Sequence, residues 1–135
     1  SRRVVCMYLL IDCTTKDVIR LTLFSQESRV EYMAEGRNAR LLSHVVLFLD
    51  QESVARGDIF GIVVVVGGGS FSSTRIASTV ANTWGFVQDV PVIGVSQEGV
   101  KDVGECIKKL TTTPYYAPLH PTYSGEPNIG KKKNT

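Results

Sequence analysis

The run Ile59-Phe60-Gly61-Ile62-Val63-Val64-Val65-Val66 limits what this chain can become more than any other stretch of it. β-Branched side chains are stiff at χ1 and favour extended backbone. The run has no polar face, so the strand belongs in mid-sheet with both sides covered, as in α/β proteins. Gly67-Gly68-Gly69 then breaks it, Ser70 or Ser72 can cap a helix, and Ile76, Val80, Ala81 and Trp84 recur at helical intervals over Arg75 to Trp84. A short apolar strand, Pro91 to Val95, comes after Asp89. Strand, glycine turn, helix and strand imply a right-handed parallel crossover.

Upstream the pattern is different. Val4 to Ile11 reads as a buried strand that ends in the polar turn Asp12-Cys13-Thr14-Thr15. Val18 to Phe24 and Arg29 to Ala34 supply two β-like runs, natural hairpin partners for the first strand. Leu41, Leu42, Val45, Val46 and Leu49 then fall at helical spacing, with Asn38 available as N-cap and Gly57 as stop. Val100 to Leu110 is expected to form a last helix. Beyond it, 111–135 holds four of the five prolines and the run Lys131-Lys132-Lys133, with little periodicity. The expected architecture is α/β: a mixed five-stranded sheet with helices, one domain over 1–110, and an irregular tail over 111–135. With 135 residues and 43% hydrophobic content the chain can build one core.

Several function classes lose support on composition alone. A net charge of +2, with basic residues spread along the chain apart from Arg2-Arg3 and the lysine run, does not demand direct nucleic-acid binding. Cys6, Cys13 and Cys106 are odd in number and lack C-x-x-C spacing, which suggests neither a zinc site nor a disulfide framework and fits a reducing cytoplasm. The longest apolar run is far short of the roughly 20 residues of a membrane span, and no secretory leader opens the sequence. The expectation is a cytoplasmic protein without a membrane role.

Few residues suggest chemistry. A glycine turn at a helix N-terminus offers backbone N–H groups and partial positive charge to a phosphate or carboxylate. Asp12 at a strand end, with Thr14, could face magnesium or a phosphate. These give a weak anion or nucleotide candidate: Asp12, Thr14, Gly67, Gly68, Gly69 and Ser70. The turn lacks the Lys-Ser/Thr of a P-loop and the spacing of a dinucleotide fingerprint, and a strand-terminal Asp is commonly a turn former. His44, in an apolar helical stripe, reads as a half-buried, hydrogen-bonded imidazole. No G-x-S-x-G elbow is present, and Asp12 beside Cys13 would raise that thiol's pKa. No catalytic residue and no metal ligand is assigned.

The segment Tyr8-Leu9-Leu10-Ile11-Asp12-Cys13-Thr14-Thr15, paired with Gly67-Gly68-Gly69-Ser70-Phe71-Ser72-Ser73-Thr74-Arg75-Ile76, resembles the I-D-T-S-T opening and the G-P-G-S-F-T-G-L-R-I-G motif of the TsaB (YeaZ-like) family. Ala81 to Phe86 and Val90-Pro91-Val92-Ile93-Gly94-Val95-Ser96 look like its A-K-G-L-A segment and I-P-L-V-G-V-S strand. Gly68 stands where that motif has proline, and Ser73 where it has glycine. The resemblance implies a single lobe of the actin-like ATPase (ribonuclease H-like) superfold. It implies a non-catalytic partner, or scaffold, of a TsaD-like protein, with a TsaE-like ATPase completing an assembly that transfers threonylcarbamoyl to the tRNA adenosine next to the anticodon. It places the interface on two helices, at Leu41, Leu42, Val45, Val46 and Leu49 and at Arg75, Ile76, Thr79, Val80 and Thr83. No cofactor of its own is implied, although ATP or ADP with magnesium could sit at a partner interface, and tRNA would be met only indirectly. Two other readings stay open: a small phosphate- or nucleotide-binding enzyme of the same superfold, and a divergent homodimer that pairs through the same helices.

Overall fold

The computed structural model describes residues 7–36, 40–67, 71–98 and 102–113, side chains of 71–73 excepted. The first strand, β1 (Met7–Asp12), turns through Thr14 to Asp17 into β2 (Val18–Phe24), and Ser25 to Ser28 turns β2 into β3 (Arg29–Glu35). Asp17 takes the left-handed region at φ 57°, and Val18 N–H donates to the Thr15 carbonyl at 3.1 Å, closing the first turn. Small polar residues tolerate that conformation because their side chains bond locally. Both pairings are antiparallel, Leu10 facing Thr22 and Thr22 facing Glu31. The expected first strand began at Val4, but residues 4–6, Cys6 among them, lie outside the described residues.

Helix α1 (Leu41–Gln51) comes next. Its ends differ from the sequence expectation. Arg40 holds the N-cap position with no side-chain cap, and Asn38 lies outside the described residues. The stop is not Gly57. The helix closes at Glu52, whose N–H still reaches the Phe48 carbonyl at 3.1 Å, and Ser53 takes the left-handed position at φ 58° usually given to glycine. Gly57 instead sits in a short 3₁₀ turn, Arg56–Asp58, that leads into β4 (Ile59–Val65). Helix α2 (Phe71–Gln88) is longer than its apolar stripe suggested. Ser72 lies inside it and so does not cap it, while Ser70 is outside the described residues. Strand β5 (Val92–Val95) and α3 (Val103–Thr112) complete the order, and α3 runs two residues past the expected domain boundary at 110. Its N-cap is Asp102, which accepts the Glu105 N–H at 3.1 Å.

The sheet order is β3-β2-β1-β4-β5, with β1, β4 and β5 parallel and β2 and β3 antiparallel. This is the mixed five-stranded sheet expected from the sequence. One face is covered by α1 and α2, which bury Leu9, Ile11, Ile19, Leu21, Leu23, Leu41, Val45, Phe48, Ile62, Val64 and Ala81. Among the described residues the other is covered by α3, over Leu10, Phe24, Val63, Val65, Ile93 and Val95. Strand β4 is buried on both sides over Gly61 to Val65, as a run without a polar face requires, and only Phe60 near its start is exposed, at 43%. Gly61 lets α3 come down: a Cβ there would stand 2.9 Å from Leu110 Cδ2.

Candidate functional site

Helix α1 has more apolar surface than the sheet can cover. Leu41, Val45, Phe48 and Leu49 face the core and are buried, whereas Leu42 and Val46, one position on in each pair, are exposed at 51% and 38%. Helix α2 divides in the same way. Ala77, Ala81 and Trp84 are buried, Ile76 and Val80 are half-buried against the core, and Thr79 and Thr83 are exposed. Between the two helices runs a groove of about 300 Å³ lined by Leu42, Val46, Arg56, Thr79, Val80, Thr83, Trp84, Val87 and Gln88. Of the ten residues the resemblance assigned to an interface, the groove brings together Leu42, Val46, Thr79, Val80 and Thr83. Leu41, Val45 and Leu49 belong to the intramolecular core, Ile76 packs on it, and Arg75 is an exposed residue of α2 that does not line the groove. Val87, exposed at 65%, and Trp84 were missed, although Val80, Thr83, Trp84 and Val87 share one helical stripe.

The C-terminal ends of the parallel strands β1, β4 and β5 lie at one edge of the sheet, the edge where open α/β sheets bind ligands. Asp12, Gly67 and Gln97 are there. Asp12 Oδ1 accepts the Thr14 N–H at 3.0 Å and the Thr14 hydroxyl at 2.6 Å, and Gln97 Nε2 donates to Thr14 Oγ1 at 2.9 Å. The Asp12–Thr14 pair closes its own turn, and Gln97 ties that turn to the end of β5. Gln97 carries no sequence motif, and only the fold shows its role. Gly67 holds φ 79°, a left-handed conformation that a side chain would strain, right after β4. Gly68, Gly69 and Ser70 lie outside the described residues.

His44 Nδ1 and the Tyr32 hydroxyl share a hydrogen bond of 2.7 Å that fastens α1 to β3. Cys13 is buried, and burial followed by the charge of Asp12 pushes its thiol up to about 12 from 9.0. Burial also raises Cys106, with Asp102 adding to it. Neither is a ready nucleophile. Among the described residues no group of His, Cys, Asp and Glu could hold a metal ion, and no helix is long and apolar enough to cross a membrane.

No protein-family model matches the sequence, and no curated protein matches it. Solved structures do match. YeaZ from Pseudomonas aeruginosa superposes with a TM-score of 0.62 and 25% identity over 74% of this chain and 51% of that one. A second structure, of an uncharacterized Pseudomonas aeruginosa protein similar to the peptidase YeaZ, gives the same TM-score and identity over 74% of this chain and 50% of that one. The chain thus spans about half the length of the solved structures it matches. The fold is YeaZ-like, of the actin-like ATPase class.

Proposed function

We propose that this chain is a non-catalytic scaffold subunit of the TsaB kind, working in the cytoplasm. It would bind a TsaD-like protein, in an assembly completed by a TsaE-like ATPase, and support threonylcarbamoyl transfer to the tRNA adenosine next to the anticodon without touching the tRNA itself. The groove between α1 and α2 carries this reading. Leu42, Val46 and Val87 are apolar side chains held in water on a YeaZ-like lobe, and two helices side by side offer a partner the ridges and grooves of a helical bundle. The test is size-exclusion chromatography with light scattering, on the chain alone and mixed with a TsaD-like protein from the same source. A heteromer lost on Leu42→Asp or Val46→Asp is the expected result; no complex at micromolar concentrations rejects the reading.

A second reading rests on the Asp12–Thr14–Gln97 turn. Asp12 has one oxygen engaged by Thr14, and no second carboxylate, imidazole or thiol joins it in a metal-binding group among the described residues. These residues alone do not complete a magnesium shell, so ATP or ADP would need donors from a partner. If the chain binds nucleotide by itself, millimolar ATP and magnesium should raise its melting temperature. An unchanged midpoint for the chain alone, with a shift only in the complex, places the nucleotide at the partner interface.

A further inference from the structure

Strand β3 is an edge strand among the described residues, and its guards against association are its own charges, Arg29, Glu31 and Glu35. It runs seven residues in unbroken register with β2, and among the described residues no strand pairs with its other side. Natural edges are commonly blunted by shortness, proline, lysine or bulges. The opposite edge, β5, is four residues long, whereas β3 reads Arg-Val-Glu-Tyr-Met-Ala-Glu and has none of these devices. Two turn bonds fix which of its backbone groups face outward. Ser25 N–H donates to the Ser28 carbonyl at 2.9 Å, and Gly36 N–H donates to the Asp17 carbonyl at 2.9 Å. The even-numbered residues are therefore the ones bonded to β2, and the alternation of an antiparallel ladder turns the N–H and C=O groups of Arg29, Glu31, Met33 and Glu35 to the open edge.

We propose that this edge pairs antiparallel with the β3 edge of a second copy, about a two-fold axis at Tyr32, joining two sheets into one. The charges, together with full overlap of the two seven-residue strands, select that occupant and that register. With the axis at Tyr32, Arg29 stands opposite Glu35 of the partner subunit and Glu31 opposite Met33 of the partner subunit, each relation occurring twice by symmetry. Each of these pairs exchanges two backbone hydrogen bonds through the outward groups. Moving the axis to Glu31 sets that carboxylate on its own copy. Moving it to Met33 sets Glu31 against Glu35 twice. Like charges directly opposite destabilise a sheet and opposite charges stabilise it, so the groups that repel other strands favour one self-pairing. Arg29 Nε already donates to Glu31 Oε2 at 3.1 Å, using one of the guanidinium's five donors. On the helix-covered face, Val30 comes opposite Ala34 of the partner subunit, and the two Tyr32 rings meet at the axis. Met33, exposed at 63%, gains a neighbour in Glu31 of the partner subunit.

Sedimentation velocity over a concentration series is the test, with far-UV circular dichroism to show that each variant folds. Arg29 and Glu35 are both exposed, so their substitution leaves the core intact. The wild type should show a concentration-dependent dimer. Glu35→Arg should raise its dissociation constant roughly 10-fold or more, and the double variant Arg29→Glu with Glu35→Arg should recover most of the affinity. Leu42→Asp, which abolishes the complex proposed above, should leave this dimer unchanged, so the two proposals can fail separately. A monomer at millimolar concentration overturns the pairing, as does a dimer lost with Leu42→Asp but kept with Glu35→Arg. So does fast hydrogen exchange of the Glu31 and Met33 amides within the dimer, since the paired edge must protect them.

Discussion

At Gly85 the backbone of α2 comes closest to the chain leading into β5. A Cβ there would stand 2.6 Å from Val92 Cγ2 and 2.9 Å from the Val90 carbonyl oxygen, while Val90 N–H donates to the Gly85 carbonyl at 3.0 Å. Alanine gains about 1 kcal/mol in helix propensity, but crowding against backbone costs about 1–3 kcal/mol. Gly85→Ala is expected to be net destabilising, seen as a lower urea midpoint. Ser78 is the opposite case. Its hydroxyl is buried with no hydrogen-bond partner among the described residues, so Ser78→Ala should stabilise by about 1 kcal/mol in the same measurement. Cys13 sets a pH dependence. The unfolded thiol ionises near 9.0 while the folded one keeps its proton to about 12, so the unfolded state holds fewer protons between these values and stability falls as pH rises through them. Cys13→Ala should flatten that fall, by at most about 1.4 kcal/mol per pH unit, in denaturation curves taken between 9 and 12. Asp12 raising Cys13 was legible in the sequence because the two are adjacent. Gln97 on Thr14 was not, because 83 residues separate them and only the parallel order of β1, β4 and β5 brings them together.

Among the elements, α1 has two faces with separable consequences. Phe48→Ala empties a buried ring site packed on Tyr32 at a centroid distance of 5.2 Å, and should cost about 3–5 kcal/mol in thermal or urea unfolding. Leu42→Asp, at a half-exposed position in the first turn of α1, should change monomer stability by no more than about 0.5 kcal/mol, which makes it the cleaner probe of partner binding. The period of Leu41 to Leu49 was readable in advance. The division between Leu41, Val45 and Leu49 inward and Leu42 and Val46 outward was not, since it depends on where β2 and α2 lie. The helix end was misread for a local reason: Gly57 looked like a stop, but Ser53 supplied the left-handed residue earlier.

Across the whole molecule, protection should follow coverage. Amides of β4, buried on both faces, should exchange slowest, and those of α3 and the outward groups of β3 in the monomer fastest, as native-state hydrogen exchange would report. The order of strands in space also differs from their order in sequence, and this shapes folding. β1, β2 and β3 form a local meander whose turns close over a few residues, so it can assemble first. The other side of β1 belongs to β4, in parallel, and stays without its neighbour until Ile59–Val65 has been synthesised and threaded alongside. For that interval a nascent three-stranded sheet carries two open margins, β1 and β3, with Leu9, Leu10 and Ile11 uncovered on one of them. The apolar run that closes the open side of β1 is therefore also the step that ends the chain's period of greatest exposure to misassembly on the ribosome.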